Sequence, residues 1–153
     1  MVRLMPSELV TAIISAEEIA RETNISLKNK FKKFKTHVID WKDFIIDPDE
    51  GSYSFLERTG EGTIEELIII SPNDNFSLIV EVDGILTYQG SFSRFQEISI
   101  HIGSIVATQR GTKYILQVGD IKFLNHIGIT IDVDAKTIFQ RLYCKYILED
   151  RES

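Results

Sequence analysis

The segment that decides the fold is "GEGTIEELIIISPNDNFSLIVEVDG", Gly60–Gly84. Two apolar runs flank "PNDN", whose residues all favour turns, and the second run ends at Asp83-Gly84, a dipeptide that type I′ hairpins prefer. Every second residue from Phe76 to Val82 is apolar, which predicts a strand with one buried face. This segment therefore predicts two strands joined by a polar turn, with a third strand, "ILTYQG", returning after the Asp83-Gly84 hairpin as the partner of the second.

The same pattern extends over most of the 153-residue chain, which is long enough for one domain with its own core. The 24 Ile and 9 Phe suit pleated, half-buried surfaces. Breaks recur about every eight to twelve residues, a spacing typical of an antiparallel sandwich or barrel. The further strands are predicted in "HVIDWKDFIID", "SYSFLER", "IGSIVATQ", "TKYILQVG", "DIKFLN", "GITIDVD" and "TIFQRLYCKYILED".

A helical turn is predicted within this series at "SFSRFQEIS", because Phe92, Phe95 and Ile98 recur at three-residue spacing. Sheet edges need protection from pairing with other chains, and exposed lysines can provide it. We expect Lys113, Lys122 and Lys145 to have this role.

The N-terminal residues follow a different period. "PSELVTAIISAEEIARETN" begins at Pro6, with Ser7 as an N-cap and apolar residues at three- and four-residue steps. This predicts an amphipathic α-helix whose stripe packs either on its own domain or on another subunit. The stripe residues expected at an oligomer contact are Leu9, Ile13, Ala16, Ile19 and Ala20.

A basic segment, "SLKNKFKKFK", follows this helix. Its lysines and phenylalanines are compatible with a solvated face, with contact to an acidic neighbouring subunit, or with single-stranded nucleic acid. Residues 1–42 carry a net charge of +3 and residues 43–153 carry −9. This asymmetry suits head-to-tail assembly, and the total of −6 argues against nonspecific nucleic-acid binding. The contact residues predicted in this segment are Lys30, Phe31, Lys33 and Phe34.

We therefore predict a mainly β fold, an antiparallel β-sandwich with an N-terminal amphipathic α-helix. The helical and basic arm is expected over residues 1–36 and the sandwich over residues 37–153. No run approaches the about 20 apolar residues of a membrane helix, and Met1–Met5 lacks the apolar stretch of a signal peptide. We expect a protein that is made in a cytoplasm and does not insert into a membrane.

Catalytic motifs are lacking in the sequence. It contains no Gly-x-Ser-x-Gly elbow and no phosphate-binding glycine loop. His37, His101 and His126 share no motif, so we expect each to be structural or at the surface. Glu65 and Glu66 are adjacent in a predicted strand and should point to opposite faces, so they should not act together on one bond. We expect neither enzymatic activity nor a cofactor.

Metal binding is also not expected. One cysteine, Cys144, excludes a disulfide within the chain and a multi-cysteine metal site, and its apolar surroundings predict a buried thiol. The carboxylates of "DPDEG" and "IDVD" could bind calcium, but neither segment has the full ligand series of a calcium loop. Turn formation explains these aspartates better.

The order of these motifs resembles that of a known class of proteins. A glycine precedes a strand, a polar turn leads to a second strand ending in Val-Asp-Gly, and a turn with two Phe follows. "IKFLNHIGITIDV" and "RLYCKYILED" come later. Over residues 60–150 the chain resembles the jelly-roll-type sandwich domains in structural proteins of tailed phages and archaeal viruses.

This resemblance implies a function in assembly. Such sandwiches are rigid building blocks that contact copies of themselves and other virion proteins through edges, loops and arms. The chain would be a capsid, neck or tail component of a virion. Similar sandwiches in spikes and fibres bind host glycans, which is the alternative function. The aromatic residues that would then stack on sugars are Trp41, Tyr53, Tyr88 and Tyr114.

Overall fold

The computed structural model describes residues 33–150, so the predicted N-terminal helix lies outside the described residues. Two antiparallel sheets enclose one apolar core, and the predicted β-sandwich is confirmed. The strands in chain order are β1 (Phe34–Ile46), β2 (Tyr53–Thr59), β3 (Gly62–Ser71), β4 (Phe76–Val82), β5 (Ile85–Ser91), β6 (Ile105–Arg110), β7 (Lys113–Phe123), β8 (His126–Val133) and β9 (Thr137–Glu149).

The order of the strands within the two sheets follows a regular pattern along the chain. The five-stranded sheet has the order β1-β9-β3-β7-β6, and the four-stranded sheet has the order β2-β8-β4-β5. Antiparallel pairs join β1 to β9, β2 to β8, β3 to β7 and β4 to β5. The first four strands thus pair with later strands in reverse order, as in a long two-stranded ribbon. Further pairing of β3 with β9 and of β4 with β8 closes this ribbon into two sheets.

The segment Gly60–Gly84 contributes to both layers of the core, as β3 and β4. In β4, Phe76, Leu78 and Val80 are buried, as their alternation predicts. The Asp83-Gly84 hairpin is also present, with both residues at positive φ, as a type I′ turn requires. Local pattern and packing therefore agree over this part of the chain.

One α-helix occurs within the described residues, and it is the predicted helical turn. This helix, α1 (Phe92–Ser99), begins after Ser91, whose hydroxyl accepts a hydrogen bond from Arg94 N at 3.4 Å. Phe92 and Phe95 are buried in the sandwich core. The helix therefore packs over one end of the core between β5 and β6.

One predicted strand break is wrong. Gly119 does not end a strand; β7 runs through it to Phe123. At this point the buried side of β7 changes from Val118 to Ile121, and Asp120 adopts a positive φ of 55°. Strand β7 nevertheless stays in the sheet, because its pairing with β3 has the same register before and after Asp120.

Candidate interaction surface

Within residues 33–150, strand β1 forms one edge of the five-stranded sheet and pairs with β9 alone along its length. It has 13 residues, and most of its side chains are exposed. Apolar side chains among them project into solvent, which is unusual for a strand at a sheet edge. The exposed large apolar residues of β1 are Phe34, Val38, Trp41 and Ile45.

The residues predicted at oligomer contacts lie before β1 or at its start. Lys33 immediately precedes the strand and is exposed, and Phe34 is its first residue, also exposed. Seven others lie outside the described residues: Leu9, Ile13, Ala16, Ile19, Ala20, Lys30 and Phe31.

An aromatic cluster occupies the side of the sandwich where β1 and β2 meet. Trp41 is stacked on Phe44, with ring centroids 4.8 Å apart, and lies edge-on to Phe55 at 5.7 Å. Tyr53 lies 6.1 Å from Trp41 and 5.0 Å from Phe44. Burial raises the pKa of the Tyr53 phenol. Phe55 is buried, whereas Trp41 is 36% exposed, so the cluster has one accessible aromatic face.

The backbone at Asp43 makes this cluster possible. In a regular strand, Trp41 and Phe44 would point to opposite faces because side chains alternate. Asp43 has a φ of +51°, and in the paired strand the buried side changes from Phe139 to Leu142. Both strands switch faces at this point, which brings the two aromatic rings together.

The four aromatic residues predicted for glycan binding are not in one place. Trp41 and Tyr53 belong to the cluster between β1 and β2. Tyr88 packs near Phe95 at 6.5 Å, and Tyr114 lies edge-on to Phe92 at 5.3 Å. Tyr88 and Tyr114 therefore support α1, and the pair Trp41 and Tyr53 forms the exposed aromatic surface.

A shallow depression of about 300 Å³ lies on the outer face of the five-stranded sheet. Both Glu65 and Glu66 line it, together with Lys145, whose Nζ lies 3.3 Å from Oε2 of Glu65. The expectation that the two glutamates point to opposite faces is therefore wrong. The reason is the face switch in β3, where burial changes from Ile64 to Leu67.

This depression combines hydrogen-bond acceptors with a positive charge. Gln117 and Ser104 add polar groups, and Val106 supplies an apolar wall. Carboxylates and an amide can hydrogen-bond hydroxyl or ammonium groups of a ligand. The sequence doublet Glu65-Glu66 indicated this position. Strict alternation along a strand predicts opposite faces for the two side chains, so their convergence on one depression was not predicted.

An arginine–carboxylate pair ties β1 to β9 on the same outer face. Arg141 donates from Nε to Oδ1 and from Nη2 to Oδ2 of Asp40, both at 3.0 Å. Its guanidinium also lies 5.3 Å from the centre of the Tyr143 ring. These hydrogen bonds lower the pKa of the Asp40 carboxyl and raise that of Arg141. The bidentate geometry orients both side chains beside the exposed edge.

The lysines expected to guard sheet edges do not lie on edge strands. Lys113 and Lys122 belong to β7 and Lys145 to β9, which are interior strands of the five-stranded sheet. Strand β6 pairs with β7 only from Lys113 to Val118, however, so among the described residues Lys122 lies where β7 pairs with β3 alone. A sheet edge is defined by which strand is left without a second partner, and this depends on long-range pairing.

The other three edge strands, β2, β5 and β6, are shorter than β1, although β5 also exposes two large apolar side chains, Ile85 and Leu86. Strand β6 has six residues and packs beside α1. Strand β2 has seven residues, exposes Glu57 and Arg58, and shifts register between Ser54 and Leu56 in its pairing with β8. Short length, charge and bulges all discourage pairing with another chain.

The histidines are separate in space within the described residues. His37 stacks on Tyr146 at 5.0 Å, His126 lies 3.5 Å from Glu57, and His101 follows α1 in an exposed turn. No group of three or more histidine, cysteine, aspartate or glutamate side chains in residues 33–150 could hold a metal ion.

The cysteine and the turn aspartates have structural surroundings. Cys144 is buried, and this burial raises the pKa of its thiol to about 12. Asp47 caps the short helical turn Pro48–Glu50 by accepting from Asp49 N at 3.0 Å. Asp134 N donates to the Asn75 carbonyl at 3.0 Å. Both aspartates thus act in turns.

No protein-family model matches this chain, and a search of the curated proteins finds no similar sequence. Across residues 33–150, no helix has the length and apolar character needed to cross a membrane.

Proposed function

We propose that this chain is a non-enzymatic structural protein of a virion, part of a capsid, neck or tail, that assembles as a homo-oligomer. It would be made in the host cytoplasm and would contact copies of itself and other virion proteins. The observation that carries the proposal is the ribbon-like pairing of the strands, β1 with β9, β2 with β8, β3 with β7 and β4 with β5.

This pairing supports a finer assignment of the fold as a jelly roll. In a jelly roll, eight strands form two Greek keys distributed over two sheets, and viral capsid domains are among the proteins that use it. Here β6 and α1 are the additions between the fifth strand and its successor in the ribbon. A fold alone does not determine function, so the surfaces must carry the rest.

The surface of the sandwich supports assembly. Exposed apolar residues concentrate on the long edge strand β1. Large exposed apolar patches mark sites of contact with other proteins. The predicted contact residues Lys33 and Phe34 lie at the start of this same strand. Residues 1–42 carry a net charge of +3, whereas residues 43–153 carry −9. A positive arm and a negative body provide attraction between neighbouring copies.

Self-assembly is tested by the mass of the purified full-length chain. Size-exclusion chromatography with light scattering over a range of protein and salt concentrations should show a defined oligomer that loosens as salt rises. Negative-stain electron microscopy should then show rings, tubes or other closed particles. A monomer under every condition would contradict the proposal.

The second candidate function is the binding of host glycans by the same sandwich. It is favoured by the exposed face of Trp41 beside Tyr53, with a neighbouring pocket of about 150 Å³ between β1 and β2. Aromatic faces stack on the apolar faces of sugars, and polar groups of the adjoining turn could bind hydroxyls. Asp47 and Glu50 line that pocket.

Glycan binding is tested by a glycan array with the wild type and Trp41→Ala. Tyr88→Ala is the matched control, because Tyr88 packs beside Phe95 away from this cluster. The candidate predicts binding that Trp41→Ala removes and Tyr88→Ala retains. Signals no higher than background for the wild type would eliminate it.

A further inference from the structure

We propose that β1 is the strand through which two copies of this chain join, by antiparallel pairing of β1 with β1 across a two-fold axis near Val38. The inference rests on the proposed self-assembly and names its contact. Two five-stranded sheets would then become one continuous sheet.

One side of β1 is a free sheet edge within residues 33–150. The pairs of β1 are all with β9, so the strand's other side presents unpaired backbone N–H and C=O groups among the described residues. From Phe34 to Lys42 the pairing continues without a register shift, and the positive φ of Asp43 ends this regular part. A nine-residue stretch is long enough for a strand, whose usual length is about five or six residues.

This nine-residue stretch of β1 also exposes an apolar surface. Val38, at its centre, is 57% exposed, and Phe34 and Trp41 near its ends are also exposed. In an antiparallel pair, residues directly opposite one another lie on the same face with close Cβ atoms. With the axis near Val38, the two valines would face each other and lose their exposure to water.

The order of charged residues along β1 selects a second copy of the chain as the partner of this edge. Lys33 and Lys35 lie at the start of β1, and Asp40 and Asp43 lie at its other end, with Lys42 between the aspartates as a partial offset. An antiparallel copy with its axis near Val38 places Lys33 opposite Asp43 of the second copy. Lys35 then lies opposite Trp41 of that copy and Lys42 opposite Phe34, so each lysine faces a carboxylate or an aromatic ring and no like charges lie opposite each other.

Parallel pairing would instead place like charges opposite each other, which destabilises paired strands. The side chain of Lys35 already reaches Asp150 at 3.2 Å, and Asp40 already binds Arg141. These partners orient the side chains of Lys35 and Asp40 at the β1 edge, and both side chains remain partly exposed. The arrangement repeats itself on both copies, as an isologous interface requires.

The test compares Val38→Lys with Val106→Lys in the full-length chain. Val106 is 44% exposed and lies on β6, the opposite edge strand of the same sheet, so it is a matched control. Val38→Lys should raise the dimer dissociation constant at least about tenfold, because each dimer loses two buried valines. Val106→Lys should leave it unchanged. Analytical ultracentrifugation measures both constants.

A second readout covers the case in which Val38→Lys fails to fold. Val38→Cys and Val106→Cys are treated with a short bis-maleimide, and the products are separated on a denaturing gel. The buried Cys144 should not react in the folded chain, which the wild type controls. Cross-linked dimer is expected for Val38→Cys and not for Val106→Cys.

The outcomes separate this inference from the proposed function. A wild-type oligomer that survives Val38→Lys, or that cross-links through position 106 and not 38, overturns the β1 contact and leaves self-assembly standing. A wild type that is monomeric at all concentrations overturns both.

Discussion

The Asp83 carboxylate joins two turns of the sandwich at one corner. It accepts hydrogen bonds from three consecutive backbone N–H groups: Leu124 at 3.0 Å, Asn125 at 2.6 Å and His126 at 2.9 Å. Its own N–H donates to the His126 carbonyl at 2.9 Å. The β4–β5 hairpin is thereby fastened to the β7–β8 turn. These hydrogen bonds, the one from Asn125 first, lower the pKa of Asp83.

We predict that Asp83→Asn lowers the melting temperature at about pH 7 and that the difference from wild type narrows as the pH falls below the unfolded-state pKa of about 3.9. The folded-state pKa of Asp83 is depressed, so its carboxylate contributes stability above the unfolded-state pKa. That contribution is lost as the pH falls through the folded-state pKa. Thermal unfolding followed by circular dichroism over this pH range measures the difference.

Asp120→Asn is the matched control for this prediction. Asp120 also has a positive φ, which asparagine tolerates, and it is exposed. Its substitution should leave the melting temperature unchanged throughout this pH range. An equal effect at Asp83 and Asp120 would show that the hydrogen bonds to the Asp83 carboxylate are not the cause.

Gly62, at the start of β3, has no room for a side chain. A Cβ there would meet the Ile147 carbonyl oxygen and would lie 2.6 Å from Cζ of Phe123. We predict that Gly62→Ala lowers the free energy of unfolding by about 2 kcal/mol, as overpacking does in other cores. Gly103→Ala, where a Cβ meets nothing within 4 Å, should cost much less. Urea unfolding of the two variants compares them.

At the scale of elements, α1 closes one end of the core through its two buried phenylalanines. Phe92 contacts Phe76 at 5.9 Å and Tyr114 at 5.3 Å, so one side chain links the helix to β4 and β7. The helix has only eight residues and would not be stable alone. Its stability must therefore come from this packing.

We predict that Phe92→Ala lowers the free energy of unfolding by about 3–5 kcal/mol, because it leaves a cavity beneath α1. Ile100→Ala is the control, because Ile100 directly follows α1 and is 80% exposed, and it should change the free energy of unfolding by less than about 0.5 kcal/mol. Urea denaturation monitored by fluorescence of Trp41 gives both values. Similar losses for the two variants would argue against an anchoring role of Phe92.

At the scale of the whole molecule, strands distant in the chain are neighbours in the sheets. Phe34 pairs with Glu149 and Ile46 with Thr137, so the first and last strands lie side by side. Such pairs form only after the entropy cost of closing a long loop has been met. We therefore expect most of the ribbon to form before β1 pairs with β9.

We predict that the chain refolds in the millisecond to second range that is usual for domains dominated by long-range β pairing. Stopped-flow dilution from urea, followed by Trp41 fluorescence, measures the rate at low protein concentration. Because Trp41 lies on β1, its signal should report a late step. Refolding within microseconds would contradict this prediction.

Several features of the fold were predictable from local sequence. The turns and alternation of Gly60–Gly84 predicted β3, β4 and the buried face of β4, and Phe92 and Phe95 indicated α1. The convergence of Glu65 and Glu66 was not predictable, because it depends on a face switch inside β3 that no residue type announces. The predicted N-terminal helix lies outside the described residues and stays a prediction.

The sequence by itself determined that the body is an antiparallel sandwich, because period-two alternation and turn residues act between neighbours along the chain. Only the tertiary structure decided which strands pair, which strand lies at an open edge and where the strands switch faces. Backbone hydrogen bonds use groups common to all residues, so strand partners follow from the packing of the whole core. Strand β1 lies at an edge for this reason, and the candidate contact is a property of the folded molecule.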